Sequence, residues 1–189
     1  MVLRPHTLWA QPTSDPHIRP FGWAELFSQW ASERSDPRFS YRYSDAASGT
    51  FAVNNVVLGV TARWRRVYAR LALQAGIQPV IEYGPPQPTD AFPVEAARHL
   101  HEVYGGVRFG RGDQLSLQVG IMGAPIGPES RAVHREPLWG RSILFWAYPF
   151  YLPAARFSWV PREGSEISLW LYQGWATVND VNTTPGGLL

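Results

Sequence analysis

Apolar residues occupy every second position in several segments of the chain. In Asn55–Trp64 the even-numbered positions are all apolar, whereas Thr61 and Arg63 fall between them. Successive side chains of a β-strand point to opposite faces, so this period predicts a strand with one apolar face and one mixed face of Arg, Gln, Tyr, Ser and Gly. The same period recurs in the segments Val67–Gly76, Glu102–Gly110 and Gln114–Met122.

The segment Gly140–Trp175 combines this alternation with a high aromatic content. It holds four Trp and three Tyr, yet polar residues recur among them. Charged residues make up only 17% of the chain, against about 25% in typical soluble domains. Two strands are predicted here. Their apolar faces hold Ala155, Phe157, Trp159, Ile167, Leu169 and Leu171, and their opposite faces hold Ala154, Arg156, Ser158, Ser168, Trp170 and Tyr172.

The predicted connections between strands alternate in length. Short turns are predicted at Trp64–Arg66, Gly110–Gln114 and Val160–Glu166, and much longer segments join the other strand ends. Tight turns on one side with long loops on the other are typical of transmembrane β-barrels. Aromatic residues flank each short turn, as in an aromatic girdle at a membrane interface. These residues are Trp64, Phe109 and Trp159.

The predicted fold class is therefore all-β, an antiparallel meander of about seven strands from a transmembrane β-barrel. The apolar face would contact lipid and the polar face a lumen. Bacterial single-chain barrels have an even number of strands, so seven strands predict an incomplete barrel. Residues 1–20 are assigned to an N-terminal extension and residues 21–189 to the partial barrel domain. The alternative is a soluble β-sandwich that binds a ligand or carbohydrate through exposed aromatics such as Trp170 and Trp175.

Several function classes lack support in the sequence. There is no Cys, so neither a disulfide framework nor thiolate chemistry is expected. A net charge of +2 does not indicate nucleic-acid binding. His99 and His101 could begin a zinc site, but no third ligand accompanies them, so neither a metal nor a cofactor is predicted. No nucleophile–base motif is recognisable, so an enzyme is not predicted. The longest apolar run, Ile143–Ala155, contains two prolines and is shorter than the ~20 residues of a membrane-spanning helix, and the N-terminus shows no signal-peptide core.

The polar faces of the predicted strands carry charged and amide side chains. A charge that faced lipid at the bilayer midplane would cost about 2–4 kcal/mol, whereas a lumen would solvate it. The alternative role for these charges is pairing across the barrel wall without effect on selectivity. The predicted pore-lining residues are Glu25, Arg70, Gln74, Glu102, Arg108, Gln118 and Arg156.

A series of short motifs resembles one bacterial family. Ile-Gly-x-Glu is followed by Trp-Gly-Arg-Ser, then Pro-Phe-Tyr, and later Gln-Gly-Trp in place of Asn-Gly-Trp. This order and spacing resemble the OmpL-like family of β-barrel porins over about residues 21–182. The matching positions are Gly127, Glu129, Arg141, Ser142, Pro149, Phe150, Tyr151, Gly174 and Trp175.

The resemblance implies a passive channel for small hydrophilic solutes in the bacterial outer membrane. Its expected partners are outer-membrane lipid and small solutes or ions, with no nucleic acid, and the oligomeric state is not predicted. Known members of the family are longer than 189 residues. The resemblance therefore also implies that the chain is an N-terminal fragment of a larger barrel.

Overall fold

The computed structural model describes residues 15–30, 48–83, 94–126, 129–132, 142, 145, 147, 149–173 and 186–188. Strands account for most of them, and two short helices interrupt one connection. The strands are β1 (His17–Gln29), β2 (Thr50–Trp64), β3 (Val67–Ala75), β4 (Leu100–Phe109), β5 (Leu115–Gly123), β6 (Tyr151–Arg162), β7 (Ser165–Tyr172) and β8 (Gly186–Leu188). The helices are α1 (Ile77–Tyr83) and α2 (Val94–Ala97), and Arg111–Asp113 forms a 3-10 turn.

The strands form one antiparallel sheet in chain order, from β1 to β8. Each strand pairs with the next, and the described residues show no pairing that closes β8 onto β1. The prediction of an all-β antiparallel meander from an incomplete barrel is confirmed, with seven long strands. The three-residue β8 adds an eighth and runs antiparallel to β1. Since the described strands form a single sheet, the two-sheet sandwich considered above is not the fold.

Two bulges break the alternation near the loop ends of strands, and a third register shift lies at the short-turn end of the β6–β7 pair, between Trp159 and Arg162. Asn54 is an extra residue opposite the Glu25/Leu26 step of β1, and His101 is an extra residue opposite the Ala72/Leu73 step of β3. A bulge lets two consecutive residues face the same side. Strict alternation would put His101 on the face opposite Glu102, but both line one cavity on the inner face.

In a soluble protein the exposed face of a sheet is polar and the buried face is apolar. In this sheet the exposed outer face is apolar and the buried inner face is polar. Large apolar side chains on the outer face are exposed: Leu58, Leu71, Leu73, Val107, Leu117, Val119, Phe157, Trp159, Ile167, Leu169 and Leu171. Buried polar side chains on the inner face include Gln74, Arg108, Ser116, Gln118 and Ser158. A small apolar cluster of Met122, Leu152, Ala154 and Trp170 lies beside them. The outer face thus requires an apolar environment, and the inner face forms a polar interior.

The two ends of the sheet differ in their connections. At one end are the short turns of two to five residues that the sequence predicts. At the other end are the long connections, one of which contains α1 and α2, helices that the alternation did not predict. None of the helices among the described residues has the length and apolar character that crossing a membrane would require. β1 begins at His17, inside the stretch assigned to the N-terminal extension; the domain division remains a prediction.

Candidate functional site

The predicted pore-lining residues all lie on the inner face of the sheet. Strand pairing places Arg70 opposite Tyr104 and Gln118 opposite Arg156. Glu25 and Gln74 lie toward the end with the long loops, Arg70 and Glu102 in the middle, and Arg108 toward the short turns. The inner face therefore carries charge along its whole height, while its role in a pore remains to be proposed.

Arg70 and Glu102 form an ion pair in the middle of the inner face. Arg70 Nε donates to Glu102 Oε2 at 2.5 Å, and Arg70 Nη1 donates to Thr61 Oγ1 at 3.4 Å. The guanidinium also lies 3.8 Å from the centre of the Phe21 ring. This cation is consequently held against the wall between an acid and an aromatic ring.

A second inward arginine has a similar environment nearer the short turns. Arg156 forms an ion pair with Glu166, donates to Gln118 Oε1 at 3.2 Å and lies 5.1 Å from the Trp170 ring centre. Arg108 lies 5.4 Å from the ring centre of Tyr68. Arg70 and Arg156 are thus paired with carboxylates. This arrangement is expected if such charges stabilise the sheet by pairing between strands.

Gln74 is the centre of a buried hydrogen-bond network at the loop end of the inner face. Its Nε2 donates to the carbonyl of Arg98 at 2.9 Å, and its Oε1 accepts from Arg131 Nη2 at 3.1 Å. The His101 Nδ1 atom lies 3.0 Å from the same Oε1. His99 instead contacts the Gln74 backbone carbonyl, at 3.2 Å. The two histidines therefore belong to one hydrogen-bond network centred on Gln74.

The ion pair between Arg131 and Glu82 joins two long connections. Arg131 lies in the segment after β5 and Glu82 in α1, and Nη2 donates to Oε2 at 2.6 Å. Arg131 Nη1 donates to the His101 carbonyl at 2.8 Å, and Gln78 donates to Glu82 at 2.6 Å. Both charged side chains are buried. Burial alone would lower the pKa of Arg131, but the Glu82 carboxylate raises it above its ordinary value, so the guanidinium stays charged.

Tyr83 and Tyr151 connect α1 to the start of β6. Their rings stack with centroids 4.6 Å apart and planes 14° apart. Tyr83 also donates a hydrogen bond to the Leu100 carbonyl at 3.0 Å. Burial raises the pKa of Tyr83 to about 12, so its hydroxyl keeps the proton that it donates. The Tyr of the Pro-Phe-Tyr motif therefore packs the start of β6 against α1.

Two other family-motif residues meet in the connection between β5 and β6. The Glu129 carboxylate accepts from the Ser142 backbone N–H, with N–O distances of 3.1 and 3.2 Å. Phe150 packs on Phe145 at 5.5 Å between centroids, and Pro149 is buried beside them. Gly127, Arg141, Gly174 and Trp175 lie outside the described residues. In the described part, the motif residues therefore shape this connection.

A cavity of about 330 Å³ lies between this connection and the inner face. β1, β3 and β4 supply one wall, and the segments 123–126, 129–132 and 149–150 supply the other. Arg70, His101 and Glu102 project into it from the sheet, and Glu129 and Arg131 from the connection. Of the predicted pore-lining residues, only Arg70 and Glu102 belong to it. Glu82, which fixes one wall through Arg131, and Arg131 itself were not among the predicted site residues.

A comparison with protein families gives one match. The family model described as "Putative beta-barrel porin-2, OmpL-like" matches residues 18–189. Neither the curated proteins nor the solved structures contain a significant match to the chain. The matched range takes in the sheet from the second residue of β1 through β8, with the Arg131–Glu82 ion pair and the cavity. The chain therefore belongs to the OmpL-like family of β-barrel porins.

Proposed function

We propose that this protein forms the wall of a passive outer-membrane channel for small hydrophilic solutes and ions, without enzymatic activity. The observation that carries the proposal is the inverted polarity of the sheet. Leu58 is 66% exposed and Leu171 is 58% exposed on the outer face, while Gln118 is 6% exposed on the inner face. Porin-family membership supports the same function.

An exposed apolar surface of this extent needs an apolar environment to cover it. Soluble monomers rarely expose contiguous apolar patches larger than a few hundred Å². On this sheet such residues recur from β2 through β7, and each lies beside its counterpart on the neighbouring strand. Leu58 pairs with Leu73, Leu117 with Phe157, and Phe157 with Leu169. Lipid tails would cover the band without further protein contacts.

The inner face supports a wet interior. Arg156 Nε and Ser158 Oγ are buried and have no hydrogen-bond partner among the described residues. Buried polar groups of this kind are usually satisfied by water. Such atoms call for water within the wall, and a water-filled lumen would be its source. The lumen would also solvate the partly exposed ion pairs of Arg70 and Arg156.

The segment after β5 would narrow such a lumen at the loop end. Arg131 donates hydrogen bonds to Glu82, Gln74 and the His101 carbonyl. The segment is thereby held over the inner face of β3 and β4. Passive selection by size and polarity requires a fixed narrow region of this kind.

Cysteine accessibility tests the two faces. Single cysteines would be placed at Leu58, Leu117 and Leu169 on the outer face, and at Thr61 and Ser168 on the inner face, where both are half-buried. The chain has no native Cys, so each label reports one position. In protein reconstituted in liposomes, a charged thiol reagent should modify the inner cysteines and spare the outer ones. The opposite pattern would reject the proposed orientation.

Conductance tests the channel itself. The described sheet is open between β1 and β8, so current is expected only from a closed barrel that includes this sheet. In planar bilayers that closed barrel should give stable, ohmic currents that scale with salt concentration. Absence of current from protein whose cysteines label as above would show a membrane-inserted wall without a conducting path, and would reject the channel.

A further inference from the structure

The cavity at the loop end has walls of two chemical kinds. The rings of Trp23 and Phe150 supply flat apolar surfaces, and Arg70, Glu102, His101 and Arg131 supply hydrogen-bonding groups. The His101 ring meets Trp23 edge-on, with centroids 6.0 Å apart and planes 77° apart. Sites that bind small molecules combine apolar or aromatic walls with a few fixed polar groups in this way.

The charges around this cavity are balanced. Two Arg and two Glu line it, and each is already engaged: Arg70 with Glu102, Arg131 with Glu82, and Glu129 with the Ser142 N–H. A bare anion or cation would have to compete with one of these partners, and separating a partly buried ion pair is costly. The cavity therefore does not favour an ionic ligand.

A neutral ligand with many hydroxyl groups meets no such obstacle. A guanidinium has five N–H donors and a carboxylate accepts about four hydrogen bonds, so the Arg70–Glu102 pair uses only part of its capacity. A hydroxyl both donates and accepts, so one hydroxyl can bridge Arg70 and Glu102 without separating them. The C–H face of a sugar ring would lie against an aromatic ring such as Trp23.

We infer that this cavity is a binding subsite for a neutral saccharide of one or two rings. The inference rests on the proposed channel, because the subsite would lie on the path of a permeating solute. The volume of about 330 Å³ lies at the small end of ligand pockets, about 300–1,000 Å³, which sets the size of the ligand. Trp23, Arg70 and Glu102 are its contact residues.

The test is calorimetric titration of the full chain, refolded in detergent, with three sugars of one ring size. Glucose is neutral, glucuronate anionic and glucosamine cationic. Glucose should bind about tenfold more tightly than either charged sugar. Equal or tighter binding of a charged sugar, or no heat with any of the three, overturns the inference.

Matched variants assign the binding to this cavity. Glu102→Gln should weaken glucose binding about tenfold or more, because it removes the charged acceptor. Glu166→Gln alters the other carboxylate that pairs with an inward arginine, but it lies outside the cavity, so it should leave binding unchanged. Trp23→Leu should abolish binding, and Trp23→Phe, which keeps a ring and preserves the fold, should retain part of it. Equal effects of the two Glu variants would contradict the assignment.

Binding in detergent requires no channel, so the two proposals fail separately. Currents in bilayers without glucose binding would reject the subsite and leave the channel standing. Glucose binding without currents would reject the channel and leave the cavity as a saccharide site of a non-conducting protein.

Discussion

The two ends of the sheet are each tied together by an ion pair, and the pairs differ in burial. At the short-turn end, Arg66 Nε lies 3.0 Å from Asp113 Oδ1, and their side chains are 58% and 12% exposed. At the loop end, Arg131 lies 2.6 Å from Glu82, and their side chains are 7% and 0% exposed. The distances are similar, so the surroundings decide how much each pair matters.

The contrast follows from how each connection is held. A short turn is positioned by the two strands that it joins, so its ion pair adds little. The connections at the loop end are long, and the described parts need contacts of their own to keep a fixed position. Arg131 supplies those contacts to α1, β3 and β4 together. A buried polar group that loses its partner costs more than an exposed one.

The largest expected effect comes from breaking the buried pair. Arg131→Met would leave the Glu82 carboxylate buried without its cation, so the free energy of unfolding should fall by about 3–5 kcal/mol. Arg66→Met breaks the pair in which only the cation is exposed. It should cost about 1 kcal/mol, because the Asp113 carboxylate that remains keeps some access to water. Urea unfolding of the refolded protein in lipid, followed by Trp fluorescence, measures both.

The double variant Arg131→Met with Glu82→Leu separates the lost pair from the stranded charge. If the stranded charge causes most of the loss, the double variant should be more stable than Arg131→Met alone. Equal losses for Arg66→Met and Arg131→Met would mean that the loop end is no more dependent on its ion pair than the turn end.

The second largest expected loss of stability comes from replacing a glycine, and the two ends of the sheet each offer one to compare. Gly76, which precedes α1, has φ +141°, and a Cβ there would lie 2.4 Å from the Asn54 carbonyl oxygen. Gly112, in the turn between β4 and β5, has φ +65°, and a Cβ there would meet no atom within 4 Å. Gly112→Ala should cost about 1–2 kcal/mol for the left-handed backbone alone. Gly76→Ala adds a backbone clash and should cost about 3 kcal/mol.

The same unfolding measurement reports this pair of variants. A loss for Gly76→Ala no larger than that for Gly112→Ala would show that the backbone around Asn54 can move aside. The loop end would then be less tightly packed than its buried network indicates.

The sheet could be predicted from sequence because its signal is local. A period of two assigns each residue to a face from its immediate neighbours. It predicts Leu58, Leu71, Leu117 and Leu169 on the outer face, where all four are exposed. Turn positions were equally local, as at Gly110–Gln114. The sequence does not predict β8, because Gly186-Gly187-Leu188 has neither alternation nor a run of strand-forming residues.

The network at the loop end could not be predicted in the same way. Glu82 and Arg131 are 49 residues apart, and no pattern in the chain links them. His101 faces inward beside Glu102 only because of the bulge between β3 and β4. A single inserted residue of this kind leaves no mark in the alternation. The connection after β3 holds three acids and the connection after β5 holds three Arg, so nothing in the sequence singles out Glu82 and Arg131 as partners.

The smallest expected effect concerns ion preference along the inner face. Replacing all of Arg70, Arg108 and Arg156 with Gln should move the reversal potential toward cations in the conducting protein. Removing an acidic partner should move it toward anions, because the arginine that remains is no longer neutralised. A KCl gradient across a planar bilayer measures each shift.

Glu102→Gln and Glu166→Gln should differ in the size of that shift. Glu102 is 21% exposed and lies at the cavity, whereas Glu166 is 35% exposed and lies near the short turns. A charge in a narrower and drier place is less screened by salt and acts more strongly on a passing ion. Glu102→Gln should therefore shift the reversal potential further, and the difference should shrink as salt rises from about 0.1 M to about 1 M, because the Debye length falls from about 10 Å to about 3 Å. A larger shift for Glu166→Gln would place the selective region at the short-turn end, and the connection fixed by Arg131 would then have no part in selectivity.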